Sequence, residues 1–357
     1  MGSRIGVALS GGGARGLAHL GVLQVIEDHD IPVHAVAGTS MGGLIAGLYA
    51  AGISVQELIE FTARVGIIDV AAPDRNWRGL FGHRKLERLL IEVLGSDQMM
   101  FADLEIPAAV VAADIESGEM VILNQGPIIP ALTATCAFPM LFSPVRYSGR
   151  WLVDGGVVNN FPVDIVRTMP VDRVIGVSVP AGLTLREETE RPSEDGRRGL
   201  SFRNLRRFTP QTPDWRTPFL IAETSMGLAI QLVNQRRLAL CPPDLLIQVP
   251  VQNVGLFDNG NSKQVIEAGR KAALADIQGM ERMASSGGAP GSIAKLISFL
   301  GRLREAWNVL RRPGHHVYPA RFCCPSVGTD RTGGVVSSVS ERRGAPQPPA
   351  RGVEERG

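Results

Sequence analysis

Histidine is scarce in this sequence and missing from the whole middle of the chain. The 357 residues hold six: His19, His29, His34, His83, His315 and His316. None falls between His83 and the C-terminal tail. A chain of the α/β-hydrolase type carries its histidine late, after the acid, so that order is excluded. Cysteine is equally thin. Cys136, Cys241, Cys323 and Cys324 match no metal or redox spacing, which argues against a zinc framework or disulfide scaffold and for a reducing compartment. No cluster of His, Asp and Glu has ligand spacing, so neither metal nor other cofactor is expected. Charge excess is missing too: 37 Lys+Arg against 35 Asp+Glu leaves +2, and nothing in that balance calls for nucleic acid.

The first apolar run, Ile5 to Leu9, is too short for a secretion signal. Gly6 stands where a myristoylation sequence needs Ser or Thr. A cytoplasmic location is expected. From Ile31 to Gln56 there is no charged residue at all, and Gly38, Gly42, Gly43 and Gly47 have small-xxx-small spacing. A transmembrane helix is one reading. Glycine and alanine dominate the run, however, and Pro32 and His34 interrupt its start. A buried strand, turn and helix account for it better.

What is present centres on Gly38-Thr39-Ser40-Met41-Gly42. This G-x-S-x-G spacing predicts a sharp strand-to-helix elbow that lifts Ser40, with glycines where side chains would collide. Earlier, the strand Arg4 to Leu9 leads into Gly11-Gly12-Gly13-Ala14-Arg15-Gly16 and then a helix to Asp28. Such a loop gathers backbone N–H groups for an anion, either a dinucleotide phosphate or an oxyanion. A dinucleotide site wants an acid at the end of the second strand; here that strand ends in Gly38 and the serine. The loop therefore reads as an oxyanion hole facing Ser40.

Serine needs a base. With no histidine in position, a carboxylate is the economical choice, and Asp154-Gly155-Gly156 follows the short strand Arg150 to Val153. A carboxylate base depends on burial and on a strong oxyanion hole. The bland alternative is an ordinary turn aspartate.

Strands and helices alternate along the chain, predicting an α/β three-layer sandwich with a largely parallel central sheet. Hydrophobic residues at 44% and charged residues at 20% suit a sizeable core. The alternation spans 4–277. Residues 182–213 are charged and proline-containing and read as a mobile insertion. A linker and amphipathic helix occupy 285–312, with apolar positions from Ile293 to Leu310 at helical spacing. The tail 313–357 reads as disordered.

The three motifs, in this order, resemble the patatin-like phospholipase family over residues 4 to about 277. The resemblance implies Ser40 as nucleophile, Asp154 as base, and the Gly11, Gly12 and Gly13 loop as oxyanion hole, with Arg15 at the family's basic position. Gly16, Gly38, Gly42, Gly155 and Gly156 complete the motifs. Ser10 stands where many members carry aspartate. The implied activity is lipid acyl hydrolysis on phospholipid or other acyl esters, without metal. Acyl transfer on the same dyad is a rival, and a non-hydrolytic nucleotide-binding protein is a more distant one. Basic residues interleaved with apolar ones at 196–208 and 293–312 predict peripheral contact with an anionic membrane surface.

Overall fold

The computed structural model describes residues 2–64, 72–73, 79–179, 216–251, 254 and 261–285. The stretches read as an insertion (182–213), an amphipathic helix (293–310) and a tail (313–357) lie outside the described residues. The described strands are β1 (Ile5–Leu9), β2 (Val33–Thr39), β3 (Ala72–Pro73), β4 (Phe81–Gly82), β5 (Ala108–Asp114), β6 (Met120–Leu123), β7 (Val145–Tyr147), β8 (Arg150–Asp154), β9 (Arg173–Ser178) and β10 (Leu245–Gln248). The helices are α1 (Ala18–Asp28), α2 (Met41–Ala50), α3 (Val55–Arg64), α4 (Arg84–Leu94), α5 (Ile128–Thr135), α6 (Gly156–Asn159), α7 (Val163–Val166), α8 (Arg216–Leu240), α9 (Ser262–Ala275) and α10 (Ile277–Ser285).

One sheet runs in the order β10-β9-β1-β2-β5-β8-β7, with β6 also paired to β5. Its first five strands are all parallel. β6, β8 and β7 are antiparallel to their neighbours. The reason for the layering is legible residue by residue, because successive strand side chains point to opposite faces. Ile5, Val7 and Leu9 of β1, Val110 and Ala112 of β5, and Ile175 and Val177 of β9 enter one core, with Leu20 and Leu23 of α1, Ile45 of α2, Leu132 of α5, Val265 of α9 and Met280 of α10. The alternate residues Ala8, Ala37, Ala109, Val111 and Val174 enter a second core on the other face, against Phe161 and the α7 residues Val163, Ile165 and Val166. Two covered faces explain why β1 and β5 are buried at every position. Each large aliphatic side chain taken fully out of water contributes about 1.5–3 kcal/mol.

Local signals start and stop the helices. Ser54 and Glu57 form a reciprocal cap on α3: the Ser54 N–H donates to Glu57 Oε2 at 3.1 Å, and the Glu57 N–H to Ser54 Oγ at 3.3 Å. α5 starts at Ile128 and carries Pro130 in its first turn. Proline fits there because the first helical N–H groups have no intrahelical partner anyway. Packing also continues past Ile277, since α10 buries Met280 completely in the main core.

The arrangement around β5 decides where the site lies. Val110 and Val111 pair with β2 and with β6; Ala112 and Ala113 pair with β6 and with β8. A strand has two edges, so β8 occupies the edge of β5 that β2 has just left. β2 and β8 run towards each other along that edge, and their C-terminal ends meet.

Candidate active site

Ser40 follows directly on β2 and takes φ 54 and ψ −127. A non-glycine residue at this positive φ is strained, and such strain concentrates at functional turns. The flanking glycines make the turn possible. A Cβ on Gly38 would lie 2.2 Å from the Gly42 carbonyl oxygen, and one on Gly42 would lie 2.4 Å from that of Ser10. The strained peptide is pinned by a residue the sequence did not reveal. Thr135 Oγ1 accepts the Ser40 N–H at 2.9 Å and donates to the Val111 carbonyl at 2.6 Å.

Asp154 ends β8 and is almost fully buried. Its Oδ1 accepts the Gly156 N–H at 2.7 Å. Its Oδ2 is buried with no partner of hydrogen-bonding geometry, while the Ser40 hydroxyl lies near enough to draw the carboxyl's pKa down. Burial outweighs both and raises the pKa from 3.8 to about 6. Ser40 and Asp154 are thus neighbours, close but not tightly bonded, as is usual before a substrate binds. Gly155 allows this approach: a Cβ there would meet the Val111 carbonyl oxygen at 2.3 Å.

The glycine loop closes over the same place. A Cβ on Gly11 would come within 3.2 Å of Ser40 Cβ, and Gly16 lies against the Met41 side chain. The four members of the loop differ in what they can offer. The Gly11 N–H donates to the Asn160 carbonyl at 2.9 Å, and the Arg15 N–H to the Gly12 carbonyl at 3.2 Å. Both amides are therefore bonded within the fold. Among the described residues the Gly12 and Gly13 N–H groups have no such partner. The Arg15 side chain is buried under the loop, with Nε 3.4 Å from the Gly12 carbonyl. α2 starts at Met41, so its N-terminal dipole end adds positive potential beside Ser40.

Ser10, where an aspartate was the commoner expectation, has a structural use. Its Oγ accepts the Val179 N–H at 2.9 Å and its carbonyl accepts from His19 Nε2 at 2.7 Å. His19 is fully buried, and burial lowers its pKa to about 4. It serves as a neutral brace for the strand end rather than a base for Ser40. Among the described residues no three His, Cys, Asp or Glu side chains gather as a metal site.

Residues 7–167 match the sequence profile of the patatin-like phospholipases. The chain carries a patatin-like phospholipase domain. An uncharacterised NTE family protein of Mycobacterium tuberculosis is 32% identical over 183 residues, 49% of this chain and 49% of the relative. A lysophospholipase of Emericella nidulans is 26% identical over 276 residues, 75% of this chain and 18% of the relative. Among solved structures, VipD from Legionella pneumophila is similar with a TM-score of 0.44 at 14% identity, covering 87% of this chain and 75% of that one. The chain spans about half the length of the curated relatives it matches first. In the patatin-like domain no helix among the described residues is long and apolar enough to cross a membrane.

Proposed function

We propose that the chain hydrolyses acyl esters of lipids, with Ser40 as nucleophile, Asp154 as general base and acid, and the Gly12 and Gly13 N–H groups as oxyanion donors. The observation that carries this reading is the strained Ser40 set against a buried carboxyl whose pKa stands at about 6. A carboxylate of ordinary pKa is a weak base for a hydroxyl. One raised by burial is a better proton acceptor and is still ionised at neutral pH.

The steps follow from that placement. Asp154 takes the Ser40 proton as the serine oxygen adds to the ester carbonyl. The carbonyl oxygen becomes an oxyanion under the glycine loop. Collapse expels the alcohol, which receives the proton from Asp154 and leaves an acyl-Ser40. Water then adds to the acyl carbon, gives its proton to Asp154, and the fatty acid departs as Ser40 regains a proton. No step uses a metal or cofactor.

The lipid substrate class rests on the family match and on the lysophospholipase among the relatives. The test is release of fatty acid from a lysophospholipid and of p-nitrophenol from an acyl ester. Ser40→Ala and Asp154→Asn should each abolish both while keeping the wild-type fold. Activity surviving in either variant would overturn the dyad.

A further inference from the structure

Asn160 follows directly on α6 as its C-terminal cap, and it joins the two loops that the proposed mechanism needs together. Its backbone carbonyl accepts the Gly11 N–H at 2.9 Å. Its Nδ2 donates to the Gly11 carbonyl at 3.3 Å. Both polar groups of Gly11 are therefore held by one residue 149 positions away. The carboxamide oxygen is wedged in the same space: a Cβ on Gly11 would lie 2.1 Å from Asn160 Oδ1, and one on Gly156 2.9 Å from it. Glycine at 11 and at 156 thus makes room for this one side chain, between the oxyanion loop and the turn after Asp154.

The segment that carries Asn160 is itself fixed at each residue. Three successive carbonyls are taken by three different parts of the fold. Val158 O accepts from Arg237 Nε of α8 at 3.1 Å. Asn159 O accepts from the hydroxyl of Thr39, the residue before Ser40, at 2.8 Å. Asn160 O accepts from Gly11. The Asn159 side chain reaches Asp164 Oδ1 at 2.9 Å, and Asp164 Oδ2 accepts from Arg237 Nη1 at 2.8 Å. Elbow, glycine loop and aspartate turn are all referred to one rigid segment.

We infer that Asn160 is a positioning residue for oxyanion stabilisation: it fixes the Gly11 peptide so that the Gly12 and Gly13 N–H groups converge on the oxygen that forms above Ser40. It does so without touching the reacting atoms. The inference rests on the proposed dyad. Donors that are displaced still admit the flat ester, but they lose the charge that develops as it becomes tetrahedral. The cost should therefore fall on kcat and not on KM.

The experiment compares Asn160→Ala and Asn160→Asp with wild type and Ser40→Ala on a p-nitrophenyl acyl ester. Rates are normalised to serine sites titrated with a fluorophosphonate, so that an unfolded fraction is not counted as lost chemistry. A trifluoromethyl ketone, which forms the tetrahedral adduct with serine, serves as a second probe. Both variants should lose about 10–100-fold in kcat with KM within about threefold of wild type. Ketone affinity should fall by a similar factor. Asn160→Asp preserves shape but cannot donate to the Gly11 carbonyl, and its charge beside Asp154 should move the acid limb of the pH profile upward. If Asn160→Ala does not fold, Asn160→Asp decides the matter alone. Wild-type kcat and ketone affinity per titrated site in the folded variants, with Ser40→Ala inactive, would overturn the inference. A wild type no more active than Ser40→Ala would overturn the dyad, and the inference with it.

Discussion

Thr39 and Asp154 pair with consecutive residues of one strand, Thr39 with Val111 and Asp154 with Ala112, along the same edge of β5. The gap between the two proposed reacting groups is thereby set by a buried strand that contributes neither of them. Thr135 adds a second reference to the same point, linking the Ser40 N–H to the Val111 carbonyl. A separation held by sheet hydrogen bonds is far less adjustable than one held by loops.

The buried carboxyl gives a pH signature in activity and an opposite one in stability. The base must be ionised, so kcat/KM should rise with pH through a single limb near 6 and then level off. In the unfolded chain Asp154 ionises near 3.8; in the fold its pKa is about 6. The stability this group contributes is complete below 3.8 and is lost as pH rises through 6. Asp154→Asn should then be inactive and, at pH 8, more stable than wild type by up to about 3 kcal/mol. Denaturant melts at pH 5 and pH 8 check it: the advantage of the variant should grow at the higher pH.

His19 acts in the other direction. Its pKa is lowered from 6.5 to about 4 because it is buried and neutral. The stability it contributes is present above 6.5 and is lost as pH falls towards 4. His19→Gln retains a donor for the Ser10 carbonyl but does not titrate. Between pH 7 and pH 4 wild type should lose up to about 3 kcal/mol relative to that variant. Equal pH dependence of the two proteins in thermal melts would remove His19 from the acid response.

Thr135→Val should leave the Ser40 N–H and the Val111 carbonyl without their partner. Unpaired buried groups cost about 1–3 kcal/mol each. The elbow should also relax, lowering kcat by about 10–100-fold. Thr135→Ser keeps the hydroxyl and should restore most of both. Rescue of stability without rescue of kcat would show that the bond supports the fold and not the geometry of Ser40.

Surface binding is expected from residues outside the described structure. Arg197, Arg198, Arg203, Arg206 and Arg207 stand among apolar residues with no acid between them. Each basic side chain near an anionic lipid surface is worth about 1 kcal/mol. Changing all five to Ser should weaken co-sedimentation with phosphatidylserine liposomes at low salt. Unchanged sedimentation would assign binding, if any, to another part of the chain.

Much of this site could be read from residue order alone. The elbow, the glycine loop and the aspartate turn each carry a steric reason for glycine that survives as a local pattern. The partners that hold them carry none. Thr135 meets Ser40 across 95 residues and Asn160 meets Gly11 across 149, and a threonine near a helix end or an asparagine after one is unremarkable by itself. Nothing in the hydrophobic pattern tells that one edge of β5 is shared by two strands running head to head. β7, only three residues long, lacks the length for an alternation to show. A loop sequence does not say which of its N–H groups are already bonded, and the bond from the Gly11 amide to Asn160 left no local trace.

Arg237 secures the Val158 carbonyl from a helix that begins 62 residues after Asp154, and Val177 and Val179 fasten Ser10 at the head of the glycine loop. During synthesis the serine and the aspartate therefore emerge before some of the parts that hold them, namely β9 and α8. A nascent chain ending between Asp154 and α8 contains both proposed reacting residues but lacks the tie that α8 supplies, so the geometry proposed for catalysis is completed late, with α8 and the last strand of the sheet.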